Sequence, residues 1–168
     1  MFTRRFSRAL HLVAKRTYAA AAPAPVSGAE SGQLLLTFAS PDKAFYTNAV
    51  VKQVDVPTLA GYVGVLANHV PTIGVLKPGV VLVHDDSGNT TKLFVSSGTL
   101  SVNIDGTVQV LAEEALMVED IDPTLAQKQL EAGNRKASEA TDEVTRAEGQ
   151  IQAEVAEALI KAASGNDY

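Results

Sequence analysis

The spacing of apolar side chains changes once along this chain, near Asp120, and no single kind of regular element accommodates both halves. Upstream the pattern alternates over short stretches, as in Val54-Asp55-Val56 and in Val108-Gln109-Val110. A period of two sends successive side chains to opposite faces of a strand, so one face meets a core and the other meets water. Downstream, Ala126, Leu130, Gly133, Ala137, Ala140, Val144, Ala147 and Ile151 follow one another at spacings of 4, 3, 4, 3, 4, 3 and 4. That is one stripe of a helix, and Val155, Ala158 and Ala162 extend it. The chain therefore divides into a strand-built unit over 33–119, a helical unit over 120–163 and a short tail, 164–168.

Turn signals cut the first unit into short strands. Leu34 to Phe38 is an apolar run closed by Ser40-Pro41-Asp42, and the Val-rich stretch from Phe45 to Val56 is closed by Pro57. Val80 to Val83 and Leu93 to Val95 have the look of buried strands, separated by Asp85-Asp86-Ser87-Gly88-Asn89. Around Asp105-Gly106 two alternating stretches flank a residue pair that tolerates the positive φ angles of a hairpin turn. Short strands punctuated every 8–12 residues or so predict an antiparallel sandwich or barrel.

The second unit opens on Asp122-Pro123. Asp accepts hydrogen bonds from free backbone N–H groups at a helix start, and Pro at the first helical position loses no bond. One helix of about forty residues could not close on the sheet as compactly as a pair, so the spacing predicts a helical hairpin bent at 138–142 and capped by Thr141 or Asp142. Leu130, Ala137, Val144, Ala147 and Ile151 are the expected packing residues between its helices. Glu131 with Arg135 and Glu157 with Lys161 are oriented as i,i+4 pairs. The stripe is mostly alanine, which buries little area, so the hairpin is expected to be held moderately and to suit docking on something else.

Charge separates a third piece. Of 14 basic residues, five (Arg4, Arg5, Arg8, Lys15 and Arg16) fall within 1–18, and the first acid is Glu30; the remainder has 9 basic and 19 acidic groups, or −10. Phe2, Phe6, Leu10 and Val13 lie at spacings of 4, 4 and 3, giving an acid-free amphipathic start with Ser and Thr. That is the pattern of a mitochondrial import sequence, and Arg16-Thr17-Tyr18 before Ala19 resembles its processing signal. Residues 19–32, rich in Ala, Pro, Gly and Ser, read as a flexible leader. The strongly acidic body repels phosphate backbones, so nucleic acid is not an expected partner.

The letters assemble no catalytic constellation. There is no Cys, which excludes thiolate chemistry and sulfur-bound metals. Ser96-Ser97-Gly98 lacks the nucleophile elbow, and no Gly-Lys-Ser/Thr loop exists to cradle phosphates. His84 beside Asp85-Asp86 is read as an exposed turn in preference to a metal ligand, and Glu113 with Glu114 as a solvated acidic edge. The expectation is a non-catalytic binding or structural protein with no cofactor, no metal and no small-molecule substrate.

Five motifs in order then carry a resemblance: Gly61-Tyr62-Val63-Gly64-Val65-Leu66-Ala67-Asn68-His69-Val70-Pro71, Leu76-Lys77-Pro78-Gly79, Phe94-Val95-Ser96-Ser97-Gly98, Val110-Leu111-Ala112-Glu113-Glu114-Ala115 and Asp120-Ile121-Asp122. Over about 34–163 the chain resembles the small central-stalk subunits of F-type ATP synthases, called delta in mitochondria and epsilon in bacteria, and the import sequence points to the mitochondrial form. The resemblance implies an N-terminal antiparallel β-sandwich followed by a C-terminal α-helical hairpin. It also implies a non-catalytic rotor subunit that binds the gamma subunit and the c-ring and couples proton-driven rotation to ATP synthesis. The small mitochondrial epsilon subunit would pack against the same assembly, on the matrix side of the inner membrane.

By position, Gly61, Tyr62, Gly64, His69 and Pro71 fall in the family segment that faces the c-ring and gamma. There the two glycines permit a tight path and close approach, Pro71 fixes the exit and His69 organises the loop. Tyr62 stands where some bacterial members carry an acid, which suggests an aromatic contact in place of an ion pair. Leu125 stands where ATP-binding bacterial relatives have an arginine, so no nucleotide sensing is expected. A free mitochondrial β-sandwich binding module, a co-chaperone or small-ligand carrier, is the alternative, and it would need a sizeable apolar pocket.

Overall fold

The computed structural model describes residues 32–165; the import sequence and most of the leader and tail lie outside them. Ten strands come first: β1 (Leu34–Ala39), β2 (Ala44–Val51), β3 (Gln53–Thr58), β4 (Gly61–Leu66), β5 (Thr72–Leu76), β6 (Gly79–His84), β7 (Thr90–Val95), β8 (Gly98–Val102), β9 (Thr107–Ala112) and β10 (Ala115–Met117). A single 3-10 turn, Val118–Asp120, leads to α1 (Pro123–Glu139) and α2 (Glu143–Ala163).

The strands form two five-stranded faces, β4-β3-β6-β7-β10 and β5-β8-β9-β1-β2. They join where β3 leaves β6 and pairs Thr58 with Leu76 of β5. One pair departs from the antiparallel expectation: β1 runs parallel to β9, with Leu36 beside Val108 and Phe38 beside Val110. This pairing sets β1 between β9 and β2 in the second face and is invisible to local periodicity. The turn at 103–106 is wider than Asp-Gly alone requires. Asn103 N–H donates to the Thr107 carbonyl at 2.9 Å, and only Gly106, at φ 81°, has positive φ.

Leu36, Phe38, Val54, Val81, Leu100 and Val110 are fully buried between the faces, and the Phe38 and Phe45 rings meet at 5.4 Å. Strand β6 is buried on both sides, which accounts for its unbroken apolar run. Val81 and Val83 enter the sandwich core, while Val80 and Leu82 join Phe94 in a second cluster under Ala162 and the half-buried Val155, Ala158 and Leu159 of α2. The helix that docks on the sheet is thus the second one, and α1 lies against α2.

Both helix starts are capped as their sequences require. The Asp122 carboxylate accepts from Thr124 N–H at 2.8 Å, with Pro123 at the first helical position, and Asp142 accepts from Thr145 N–H at 2.8 Å. Where the helices cross, their backbones nearly touch. A Cβ on Gly149 would lie 2.5 Å from the Ala137 nitrogen, and one on Gly133 would lie 2.7 Å from the Ala153 nitrogen. Lys136 Nζ to Glu148 Oε2 at 2.7 Å and Gln152 Nε2 to Gln129 Oε1 at 2.6 Å bridge the edges of this seam.

The expected packing set is corrected here. Leu130 and Ala137 are half-buried, but Ala147 is exposed, and Val144 and Ile151 are 68% and 61% exposed. The spacing of 4 and 3 continued through the bend only in the letters. Residues 140–142 are not helical, so the phase restarts at Glu143 and α2 presents Gly149, Ala153 and Ala156 to the seam instead. Of the two expected ion pairs, Glu157 meets Lys161 at 3.1 Å, and Glu131 with Arg135 makes none.

Candidate partner-binding surface

Strand β4 is the free edge of the first face, paired along its whole length with β3 from Gln53 opposite Leu66 to Thr58 opposite Gly61. The segment expected as a loop is therefore mostly strand, and only 67–71 forms the tip of the β4–β5 hairpin. The five expected site residues divide between its ends. Gly61, at φ 121°, makes the tight entry from β3. Gly64 gives the close approach: a Cβ there would stand 2.9 Å from Asp55 Oδ1.

Tyr62 does not lie at the tip. Lys77 Nζ sits 5.6 Å from its ring centroid, within cation–π range. Its hydroxyl lies 3.3 Å from where a Gly79 Cβ would be, beside Glu154, Ala158 and Lys161 of α2.

His69 and Pro71 hold the far end. Asn68 adopts φ 62°, turning the chain, and His69 N–H donates to the Leu66 carbonyl at 3.2 Å. His69 Nδ1 lies 2.8 Å from the Val70 carbonyl, which also accepts from Thr72 Oγ1 at 2.9 Å. Val70 itself is 69% exposed.

His84 is engaged within the sheet. Its Nε2 lies 2.9 Å from Asp55 Oδ2 and its Nδ1 2.9 Å from Thr90 Oγ1, while Gln53 Nε2 donates to Asp55 Oδ1 at 2.7 Å. Asp55, only 9% exposed, is a buried acid that alternation alone had assigned to the wet face. Its partner lies 29 residues away, so no local signal could reveal it. Among the described residues no group of three or more His, Asp or Glu side chains could hold a metal. Glu113 and Glu114 occupy the link between β9 and β10, where Glu113 Oε2 accepts from Ser97 Oγ at 2.8 Å.

An exposed apolar face was not foreseen. On the outside of the second sheet, Ile73 is 85%, Val75 53% and Leu111 49% exposed, with Val75 and Leu111 flanking Thr99 in one cross-strand row. Leu59, 72% exposed, adjoins them through its N–H bond to the Val75 carbonyl at 3.0 Å. Beside it an open groove of about 590 Å³ runs between the end of the sandwich and α2, lined by Leu76, Ser97, Glu113, Ile151 and Val155 among others. Contiguous apolar surface of this sort marks an interaction site on a folded chain. Among the described residues no helix is long and apolar enough to cross a membrane.

A filled sandwich with a docked helical hairpin, carrying apolar surface on its outside, defines a binding protein whose business is contact with other macromolecules. Comparison with known proteins makes this specific. Residues 33–118 match the model of the ATP synthase, Delta/Epsilon chain, beta-sandwich domain. The mitochondrial ATP synthase subunit delta of Caenorhabditis elegans is 68% identical over 153 residues, covering 91% of this chain and 92% of the relative. That of Saccharomyces cerevisiae is 42% identical, covering 91% of each. Among solved structures, a chain of the Euglena gracilis mitochondrial ATP synthase, from its OSCP/F1/c-ring assembly in rotational state 1, superposes with TM-score 0.70 at 28% identity. It spans 95% of this chain and 97% of its own length. The chain belongs to the ATP synthase delta/epsilon family, a family of non-catalytic stalk subunits.

Proposed function

We propose that this chain is a rotor component at the foot of the mitochondrial ATP synthase, gripping the gamma subunit and the c-ring from the matrix side of the inner membrane. The observation that carries the reading is the apolar outer face of Leu59, Ile73, Val75 and Leu111, which the described residues leave uncovered. We assign that face, together with the segment that holds Gly61, Tyr62, Gly64, His69 and Pro71, to contact with gamma and the ring. The groove beside α2, with Ile151, is the seat for the small epsilon subunit.

The subunit's part in the cycle is mechanical. Proton flow turns the ring, and torque passes through the sandwich to the shaft. A close-packed core transmits strain because it has few voids to absorb it. Leu125 supports the absence of nucleotide sensing: it is 57% exposed, and the neighbouring Asp122 carboxylate is occupied in capping α1. ATP is expected to leave the melting temperature of the chain unchanged.

Sedimentation of detergent-solubilised mitochondria tests the reading. The chain should run with gamma in a particle of many subunits. Migration as a free small protein would overturn it and favour the independent binding module. Val75→Asp should release the chain from gamma, because a carboxylate in a desolvated apolar contact has no partner.

A further inference from the structure

Thr90 on β7 stands opposite His84 on β6, and His84 stands opposite Gln53 on β3, so one cross-strand row carries a hydroxyl, an imidazole and an amide. Asp55, two residues along β3 from Gln53, lies on the same face. Thr90 Oγ1 is 2.9 Å from His84 Nδ1, His84 Nε2 is 2.9 Å from Asp55 Oδ2, and Gln53 Nε2 donates to Asp55 Oδ1 at 2.7 Å. Asp55 is 9% exposed, whereas Thr90 is open to solvent. The stalk reading uses none of the four.

The acid fixes the hydrogens. A carboxylate has only lone pairs to offer, so His84 gives it Nε2–H, and the neutral ring keeps its Nδ1 lone pair for the Thr90 O–H. Gly64, opposite Asp55 on β4, belongs to the arrangement: a Cβ there would stand 2.9 Å from Asp55 Oδ1 and displace it. A hydroxyl beside a base, with the base oriented by a buried acid, has the parts of an activated nucleophile, which geometry defines and order in the chain does not.

We infer that Thr90 is a site of covalent acylation, taking an acyl group from a small activated ester or thioester. Thr90 Oγ1 attacks the carbonyl carbon while His84 Nδ1 takes the hydroxyl proton. The donor's carbon–oxygen or carbon–sulfur bond then breaks, and the leaving alkoxide or thiolate takes that proton from His84. The products are an ester at Thr90 and a free alcohol or thiol. The step is a single modification without turnover. The N–H groups of the adjoining turn at Asp85 and Gly88 are spent on the Asn89 and Asp85 carbonyls, which leaves the developing oxyanion to water. The inference is independent of the stalk reading, because a reaction on the outside of the first face succeeds or fails whatever the chain assembles with.

The test treats the full chain with p-nitrophenyl acetate at neutral pH and follows each site by tandem mass spectrometry, which separates an acetyl group on Thr90 from one on Lys92. Thr99, exposed on β8 between Val75 and Leu111, is the internal reference. Thr90 should acetylate about a hundredfold faster than Thr99, the gain usual for a positioned general base. His84→Gln can still donate to Asp55 but is no base, and should bring Thr90 down to the rate of Thr99. Asp55→Asn should do the same: its oxygen stays with the Gln53 amide, so its NH2 faces His84 Nε2 and leaves the ring proton on Nδ1. Amide exchange in β6 and β7 at the wild-type level shows that a variant is folded, and the wild-type comparison decides alone where one is not. Equal rates at Thr90 and Thr99 in the wild-type chain, or an unchanged Thr90 rate in either folded variant, would overturn the inference.

Discussion

The sandwich joins its layers through branched side chains such as Val54, Val81, Leu100 and Val110, each buried to 0% exposure. In the hairpin the same work falls to glycine and alanine, and α1 meets α2 almost backbone to backbone at Gly133 and Gly149. The first mode gains stability in proportion to apolar area removed from water. The second buries little area and depends on fit, because dispersion between atoms falls away over a fraction of an ångström. An alanine-rich stripe is therefore no sign of a loose element. The hairpin is firm within itself and attached to the rest mainly through one helix, α2.

The contrast predicts different kinds of damage. Phe38→Ala, which empties a fully buried site, should cost about 3–5 kcal/mol and lower the cooperative unfolding transition seen by urea titration. A cost under about 1 kcal/mol would break the idea that area holds the sandwich. Gly149→Val should cost about 1–3 kcal/mol by overpacking. Its effect should be local: amide exchange should speed up in α1 and α2 while strands β6 and β8 stay protected. Uniform loss of protection would show that the two regions unfold as one.

Acid sharpens the comparison at the turns. Thr107 and Thr145 hydrogen bonds hold the Asp105 and Asp142 carboxyls below their ordinary value of 3.8, so the folded chain binds fewer protons than the unfolded one there. Their stabilisation is complete above that ordinary value and fades as pH falls through it toward the lower folded values. Asp142→Asn, which can still accept the Thr145 N–H but cannot titrate, should flatten the acid-induced rise in α2 exchange while leaving the Asp105 turn as sensitive as before. The smallest effect is expected for Ile151→Ser, whose side chain is 61% exposed: within about 0.5 kcal/mol in the free chain. A larger loss would mean that the groove beside α2 closes in solution.

Elements with a local cause were legible in the letters. Asp122-Pro123 and the pair Thr141-Asp142 announced both helices because a cap works over three residues, and the unbroken apolar run of β6 announced a buried strand. Legibility ended where the cause was distant. The parallel pairing of β1 with β9, the Asp55–His84 bond and the placing of Tyr62 beside Lys77 and α2 each join residues that share no sequence pattern. The shape of the segment expected as a loop was hidden for the same reason. The segment from Gly61 to Pro71 is contiguous in sequence, but as an extended strand it carries its two ends to opposite ends of the sandwich.

Period, caps and turn residues by themselves determined two units, a sandwich of short strands and a bent helical pair, because these preferences act between neighbours. Tertiary structure decided which helix touches the sheet, which small residues form the seam and which apolar side chains are left for partners. Burial is a property of three-dimensional neighbours: Val144 and Val155 are the same residue on the same helix, and only the one that reaches the cluster of Val80, Leu82 and Phe94 on the sheet is packed.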